Sequence, residues 1–215
     1  MPINYENVLK AVKEARERAK KRNFIQSFEL SVNLKDVDIK KARNKLQGEI
    51  TFPHKFSKPV KLLMIADGEL AVKAKNAGID VIDKSEIEVI GSDKRKIRKL
   101  AKLYDYFLAK VDLMPLIAKF FGQVLGPRGK MPTPVPPMAN IESYVDKYSR
   151  TVKYRVRDTP TINIKVGDEK MTDEQVAENI IAAINTIVSK LDRGFGNVKS
   201  MYVKLSMGPA VKIET

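Results

Sequence analysis

The sequence predicts a mixed α/β and α+β protein, with an antiparallel unit built from both chain ends and a parallel α/β unit inserted between them. Three observations carry this. Alternating strand patterns lie near amphipathic helices at the two ends, in FELSVNL (28–34), TINIKVG (161–167), MYVKLS (201–206) and AVKIE (210–214). Continuous apolar runs separated by short helices fill the middle, as in VKLLMIA (60–66) and DYFLAKV (105–111), the pattern of strands covered on both faces. The N-terminal pieces alone are too few to bury a good core, so the two ends must fold together. The predicted division puts 1–66 plus 160–215 in one discontinuous domain and 67–159 in an inserted one.

The elements follow in order. Residues 5–22, YENVLKAVKEARERAKKR, set Val8, Leu9, Val12, Ala15 and Ala19 on one helical stripe, with Asn4 placed to cap the start. The charged run that closes this segment reads first as a solvated helix face. KLQGEITFP (45–53) gathers β-branched and aromatic residues and reads as a strand. Beyond Pro59, the strand 60–66 is followed by a short helix ending at Gly78, a brief strand IDVID, a helix over 92–104, the strand 105–111 and a helix over 112–121 ending at Gly122. Short connections in that rhythm indicate a parallel sheet. A helix over 138–148 and a strand TVKYRVR (151–157) come next. The clearest helix spans 171–191: Thr172 caps it with Gln175 three residues on, and Val176, Ile180, Ile184 and Ile187 run down one side.

Composition bounds the chemistry. Among 215 residues there is no cysteine and a single histidine, His54, which rules out thiolate metal sites, cysteine nucleophiles and a histidine-built zinc cluster. No cofactor is implied. No run is apolar for long enough to span a membrane and the first residues lack the core of a secretory signal, so a cytoplasmic protein with no membrane partner is expected. Forty Lys and Arg against 26 Asp and Glu leave a net charge of +14. Such a balance favours polyanionic partners through counterion release and steering, nucleic acid first among them.

Four sequence features invite a site. LGPRGKMPTPVPP (125–137) is a stiff basic loop, but Lys130 is followed by Met131 in place of the Ser or Thr of a phosphate-binding loop, and Pro127 offers no amide. What survives is Arg128 and Lys130 held outward, either on a nucleic-acid backbone or in a plain connection. SMGPAV (206–211) is a hairpin turn in which Gly208 permits close approach or positive φ and Pro209 fixes the next φ; the same turn can present its backbone and hydroxyl to a sugar-phosphate edge. Phe24 reads as a packing residue or, alternatively, as a base-stacking one. Asp67, Asp80, Asp83, Asp105 and Asp112 fall near strand ends without a paired pattern and read as caps and turns. An enzymatic alternative would use Arg128 and Lys130 to bind a phosphorylated substrate and His54 as base; a DNA-binding protein is a second.

Together, NFIQSFELSVNL (23–34), GQVLGPRGKMPTP (122–134), TINIKVGDEKM (161–171) and SMGPAVKI (206–213) resemble the large-subunit ribosomal protein of the mobile side stalk, the ribosomal protein L-one family, in its archaeal form. The resemblance runs over essentially the whole chain. It implies a split ribonucleoprotein-like α/β sandwich with an inserted Rossmann-like domain. It further implies a non-enzymatic protein that binds large-subunit rRNA, helps deacylated tRNA leave the exit site of the ribosome, represses translation through an operator in its own mRNA, and is a monomer when free. By resemblance the principal RNA site lies on the terminal-segment domain, at Phe24, Ser206, Met207, Gly208 and Pro209, with Glu29, Ser31 and Lys165 on matching strands. Arg128 and Lys130 would make secondary RNA contacts.

Overall fold

A computed structural model describes residues 3–38, 46–156 and 159–214. In chain order its elements begin α1 (Tyr5–Glu17), β1 (Ser27–Leu34), β2 (Gln47–Thr51), β3 (Leu62–Ile65), α2 (Gly68–Asn76), β4 (Asp80–Ile82), α3 (Lys84–Gly91), α4 (Lys94–Leu103) and β5 (Tyr106–Lys110). They continue α5 (Met114–Leu125), β6 (Thr133–Val135), α6 (Ile141–Ser149), β7 (Thr151–Arg155), β8 (Thr161–Asp168), α7 (Asp173–Val188), β9 (Val198–Leu205) and β10 (Val211–Ile213). The chain divides into two units, Met1–Lys58 with Arg150–Thr215, and Pro59–Ser149.

In the terminal-segment unit, four strands form an antiparallel sheet in the order β10-β9-β1-β8. β1 alternates strictly: Phe28, Leu30, Val32 and Leu34 are buried, while Ser27, Glu29, Ser31 and Asn33 are half-buried on the other face. The buried row joins Ile162, Ile164, Val166, Met201, Val203 and Leu205 against α1 and α7, whose Val8, Val12, Val176, Ile180 and Ile184 complete one core. Both helices therefore cover a single face of the sheet. Asn4 caps α1 by accepting the Glu6 amide at 3.1 Å, and the Thr172–Gln175 capping box opens α7 with bonds of 3.2 and 3.3 Å. Helix α1 stops at Glu17, short of the predicted end at Arg22, because the chain beyond Ala19 has no apolar stripe to bury and must turn into β1.

Arg16 braces this layer. Its guanidinium donates to the Asp173 carboxylate (2.7 Å) and to the carbonyls of Glu169 (2.7 Å) and Met171 (2.8 Å), and it lies over the Phe28 ring at 5.1 Å.

The inserted unit is a parallel sheet, β4-β3-β5-β6. Leu63, Ile65 and Phe107 pack on one face with Ile87, Ile97, Ile117 and Phe121 of α3, α4 and α5. Leu62, Met64 and Leu108 pack on the other with Leu70, Ala74, Ile141 and Tyr148 of α2 and α6. Helices thus cover both faces, which is why β3 is buried throughout.

Hydrogen-bond partners decide where the units meet along the chain. β3 pairs in parallel with β4 and β5, and so lies with the inserted unit. β7 pairs with β2 from Gln47↔Arg155 to Thr51↔Thr151, and so lies with the chain ends. The breaks fall at Lys58/Pro59 and Ser149/Arg150, where the sequence reading set them at 66/67 and 159/160. Three more elements differ. Helix α3 was not anticipated from KSEIEVIG, whose single fully buried residue is Ile87. Helix α5 runs through Gly122 to Leu125, because Gly126 N–H still reaches Gly122 O at 2.9 Å. The proline-rich loop contributes β6, an edge strand, the one sheet position where Pro134 is harmless. Of the predicted strands 45–53 and 151–157, Lys45 and Arg157 lie outside the described residues.

Candidate nucleic-acid interface

The face of the terminal-segment sheet turned away from α1 and α7 carries polar side chains in rows. Glu29 of β1 stands opposite Lys165 of β8 on one side and Lys204 of β9 on the other. Ser31 stands between Asn163 and Tyr202, and Asn33 between Thr161 and Ser200. Lys212 of β10 extends the Tyr202 row. The side chains of one sheet face point the same way at each second residue, so Glu29, Ser31 and Lys165 come together on one surface. Sequence reading did not single out Tyr202, Lys204 or Lys212, although the alternation of MYVKLS already sets Tyr202 and Lys204 opposite the apolar residues. Beside Lys165, Phe56 offers its ring 4.7 Å from the ammonium. That ring is positioned by the 52–57 segment. Buried Asn179 accepts the His54 amide (3.1 Å) and donates to Val166 O (2.9 Å), and buried Asp168 accepts both the Ser57 amide (2.8 Å) and hydroxyl (2.7 Å).

The turn after β9 adjoins this face. Ser206 N–H donates to Ser27 O at 3.0 Å, Ser27 N–H donates to Ser206 Oγ at 3.2 Å, and the same hydroxyl lies 3.3 Å from Glu29 Oε1. The serine is thus a bracket between turn and sheet. Met207 N–H donates to Oε1 of Gln26 at 3.2 Å, and Gln26 Nε2 donates to Lys20 O at 3.1 Å. Gln26 is 1% exposed, yet it ties the turn to the segment leaving α1; its role is invisible in sequence, since only burial reveals it. Gly208 takes no left-handed φ. The turn packs closely here: a Cβ at this position would lie 3.2 Å from Ala19 Cβ, a tight contact, and 3.5 Å from Leu205 Cβ, an ordinary one.

These bonds hold Met207 58% exposed and Pro209 exposed. Phe24 and Ile25, in the segment that leads into β1, are 53% and 49% exposed. Phe24 is therefore not a fully buried core residue. Lys20, Lys21 and Arg22 are exposed in the same segment.

In the inserted unit the basic loop behaves otherwise than expected. Lys130 is turned inward, with Nζ donating to Ala101 O (3.0 Å) and Tyr104 O (2.7 Å) at the carbonyl end of α4, where a cation offsets the helix dipole. Arg128 alone stays exposed, on a turn in which Gly129 takes φ +66°. The aspartates serve as caps and pairs. Asp67 precedes α2 and accepts from Lys110 at 2.7 Å, a bond that lowers its pKa and raises that of Lys110. Asp80 accepts from the Tyr104 hydroxyl at 2.8 Å, and Asp105 accepts the Lys61 amide at 3.1 Å. Asp83 precedes α3, and Asp112 lies 3.5 Å from Lys110. His54 Nε2 lies 2.6 Å from Glu178 Oε2. Among the described residues no group of His, Asp or Glu is arranged to hold a metal ion.

A helix-covered antiparallel sheet with one polar, lysine-bearing face, joined in sequence to a parallel α/β unit, defines a two-unit α/β protein. The model of the ribosomal protein L1p/L10e family matches residues 10–209, and the chain belongs to that family. It is 49% identical over 215 residues to the large ribosomal subunit protein uL1 of Pyrococcus horikoshii, covering 100% of this chain and 98% of the relative. To the uL1 of Methanocaldococcus jannaschii it is 50% identical over 212 residues, covering 99% and 97%. To that of Thermococcus kodakarensis it is 47% identical, with both chains covered in full.

Proposed function

We propose that this chain is a structural protein of the large ribosomal subunit that binds ribosomal RNA through the open sheet face and the 206–209 turn. The observation that carries the reading is a continuous surface. Glu29, Ser31 and Lys165 share one sheet face, and Ser206 joins that face to a turn whose Met207 and Pro209 stand in solvent. Lysines supply salt-dependent attraction to the backbone, while a rigid, partly apolar turn fits an irregular RNA surface by shape and 2′-hydroxyl contacts. Exposed Phe24 adds a ring able to stack on a base. Family membership supports the finer parts of the proposal: a position on the side stalk, help for deacylated tRNA leaving the exit site, and repression through an operator in its own mRNA. It also supports a cytoplasmic protein, monomeric when free. No helix among the described residues is long and apolar enough to cross a membrane. The enzymatic alternative loses Lys130 as an anion binder, since its ammonium is committed to the end of α4.

The test is binding to a large-subunit stalk RNA fragment and to duplex DNA of equal length, at about 50 and about 200 mM salt. A preference for the RNA that persists at the higher salt is expected. Equal affinities falling together would refute the reading. Separate titrations with deacylated tRNA and with the 5′ region of the protein's own message test the finer parts.

A further inference from the structure

Helix α4 (Lys94–Leu103) reads KRKIRKLAKL and carries six cations on ten residues. Ile97 and Ala101 are buried and Leu100 is half-buried, while Lys94, Arg95, Lys96, Arg98, Lys99 and Lys102 are all exposed. Among the described residues none of the six forms an ion pair; the nearest acid in sequence, Asp93, accepts the Arg95 amide at 2.7 Å as the helix cap. Lys94, Arg98 and Lys102 are spaced i, i+4, i+8 and form one ridge about 12 Å long, with Arg95 and Lys99 beside it.

Folding does not account for the one-sign charge of this helix. Its first turn holds no acid and three cations, the wrong sign for the positive end of the dipole. The i,i+4 pairs Lys94/Arg98, Arg95/Lys99 and Arg98/Lys102 repel. A solvated face ordinarily mixes signs, as α1 does with Glu6, Glu14 and Glu17 among Lys10, Lys13 and Arg16. At the helix end, Lys130 on the Ala101 and Tyr104 carbonyls ties down the loop that bears exposed Arg128.

We propose that α4, with Arg128, is a second RNA contact, one that grips the phosphate backbone without reading bases. Backbone contact follows from the side chains. The helix has no exposed aromatic to stack a base, since Tyr104 is buried and bonded to Asp80. An acidic membrane fits poorly: an interfacial helix needs an apolar face to insert, and here Ile97 and Ala101 face the core, leaving Leu103 alone exposed. The contact assigned to the GPRGK loop thus shifts to the helix that Lys130 caps. The inference rests on the RNA-binding reading above but concerns a different surface.

The experiment uses the full chain and a perfectly paired RNA of about 20 base pairs with no ribosomal sequence, titrated over a range of salt. The triple variant K94Q/R98Q/K102Q is compared with wild type and with K10Q/K13Q, which removes cations from a mixed-charge face. Loss of three phosphate contacts, at about 0.8 counterion each, makes the slope of log K against log salt shallower by about 2.4 and weakens binding about 250-fold at 0.1 M salt. Glutamine is a good helix former and relieves repulsion, so the triple variant should melt no lower than wild type. If it does not fold, Arg98→Gln alone should change the slope by about 0.8. An unchanged slope, or a loss per charge no greater than that of K10Q/K13Q, overturns the proposal. So do ultraviolet cross-links that never fall in 94–102. If wild type shows no preference for the stalk fragment, the proposed function fails, while a slope change in the triple variant still upholds α4 as an RNA contact.

Discussion

Replacing Gln26 by methionine keeps the side chain's length and removes both of its hydrogen bonds. The Met207 amide loses its acceptor and the Lys20 carbonyl its donor. Each bond contributes about 0.5–1.5 kcal/mol net. Both partners belong to exposed residues that water reaches after modest movement, which favours the lower half of that range and a total of about 1–2 kcal/mol. For a unit of this size that lowers Tm by about 4–8 °C. Nearly all of the protein stays folded, so an effect on RNA binding reports the turn itself. Freed from Gln26, the 207–209 segment must be ordered on binding, at a cost of about 0.5–1.5 kcal/mol, or about 2- to 13-fold in affinity for the specific RNA. The salt slope should not change, because no cation is removed. Thermal melting and fluorescence titration at two salt concentrations provide the measurement. A fall in Tm with affinity held within about 1.5-fold would refute the view that Gln26 presents the turn; an unchanged Tm would refute the account of its bonds.

Three further outcomes are expected. Met207→Asp leaves stability near wild type because the side chain is largely exposed, but it lowers specific RNA affinity at least about 10-fold, against about 4-fold or less for Lys199→Ala, which removes an exposed cation of β9; equal losses would defeat the assignment of the turn. Lys130→Met removes the cap of α4 and lowers stability by about 1–2 kcal/mol with the RNA salt slope unchanged, whereas Arg128→Met leaves Tm in place and reduces the slope by about 0.8. Burial, with the bond to Asp80, pushes the Tyr104 hydroxyl up to about 12 from 10.0. The folded protein therefore holds this proton more tightly than the unfolded chain. That contribution is full below pH 10.0 and is lost as pH rises to about 12. The stability gap between wild type and Tyr104→Phe, read from denaturant midpoints, should narrow across that window; a constant gap would count against the bond.

Much of the geometry of the sheet face and the 206–209 turn is legible in the sequence. Period-two alternation already puts Glu29 and Ser31 opposite the apolar row of β1, and the Met-Gly-Pro turn is recognisable as a local motif. Gln26 was not legible, since one polar residue before a strand looks the same whether it faces water or clamps a turn. Phe24 stayed ambiguous for the converse reason: an aromatic beside a strand is ordinarily packed, and only the course of the chain after Glu17 leaves it outside. Lys130 was misread because a basic residue in a glycine-rich loop ordinarily projects outward, and nothing local announces that the carbonyl end of α4 waits nearby.

The sequence by itself determined what short-range physics controls. It set the period of each long helix and strand, the antiparallel character of the ends and the parallel character of the middle, the charge that calls for a polyanion, and the turn that marks the family. Tertiary structure decided what depends on partners distant along the chain. It assigned β3 to β4 and β5 and β7 to β2, which moved both unit boundaries, and it turned Lys130 inward while leaving the six cations of α4 without an acidic partner among the described residues. A strand's pattern records which of its faces is buried, and a lysine's position records only that a charge exists. Which backbone completes the ladder, and which carbonyls receive the ammonium, are settled when the fold brings them within about 3 Å.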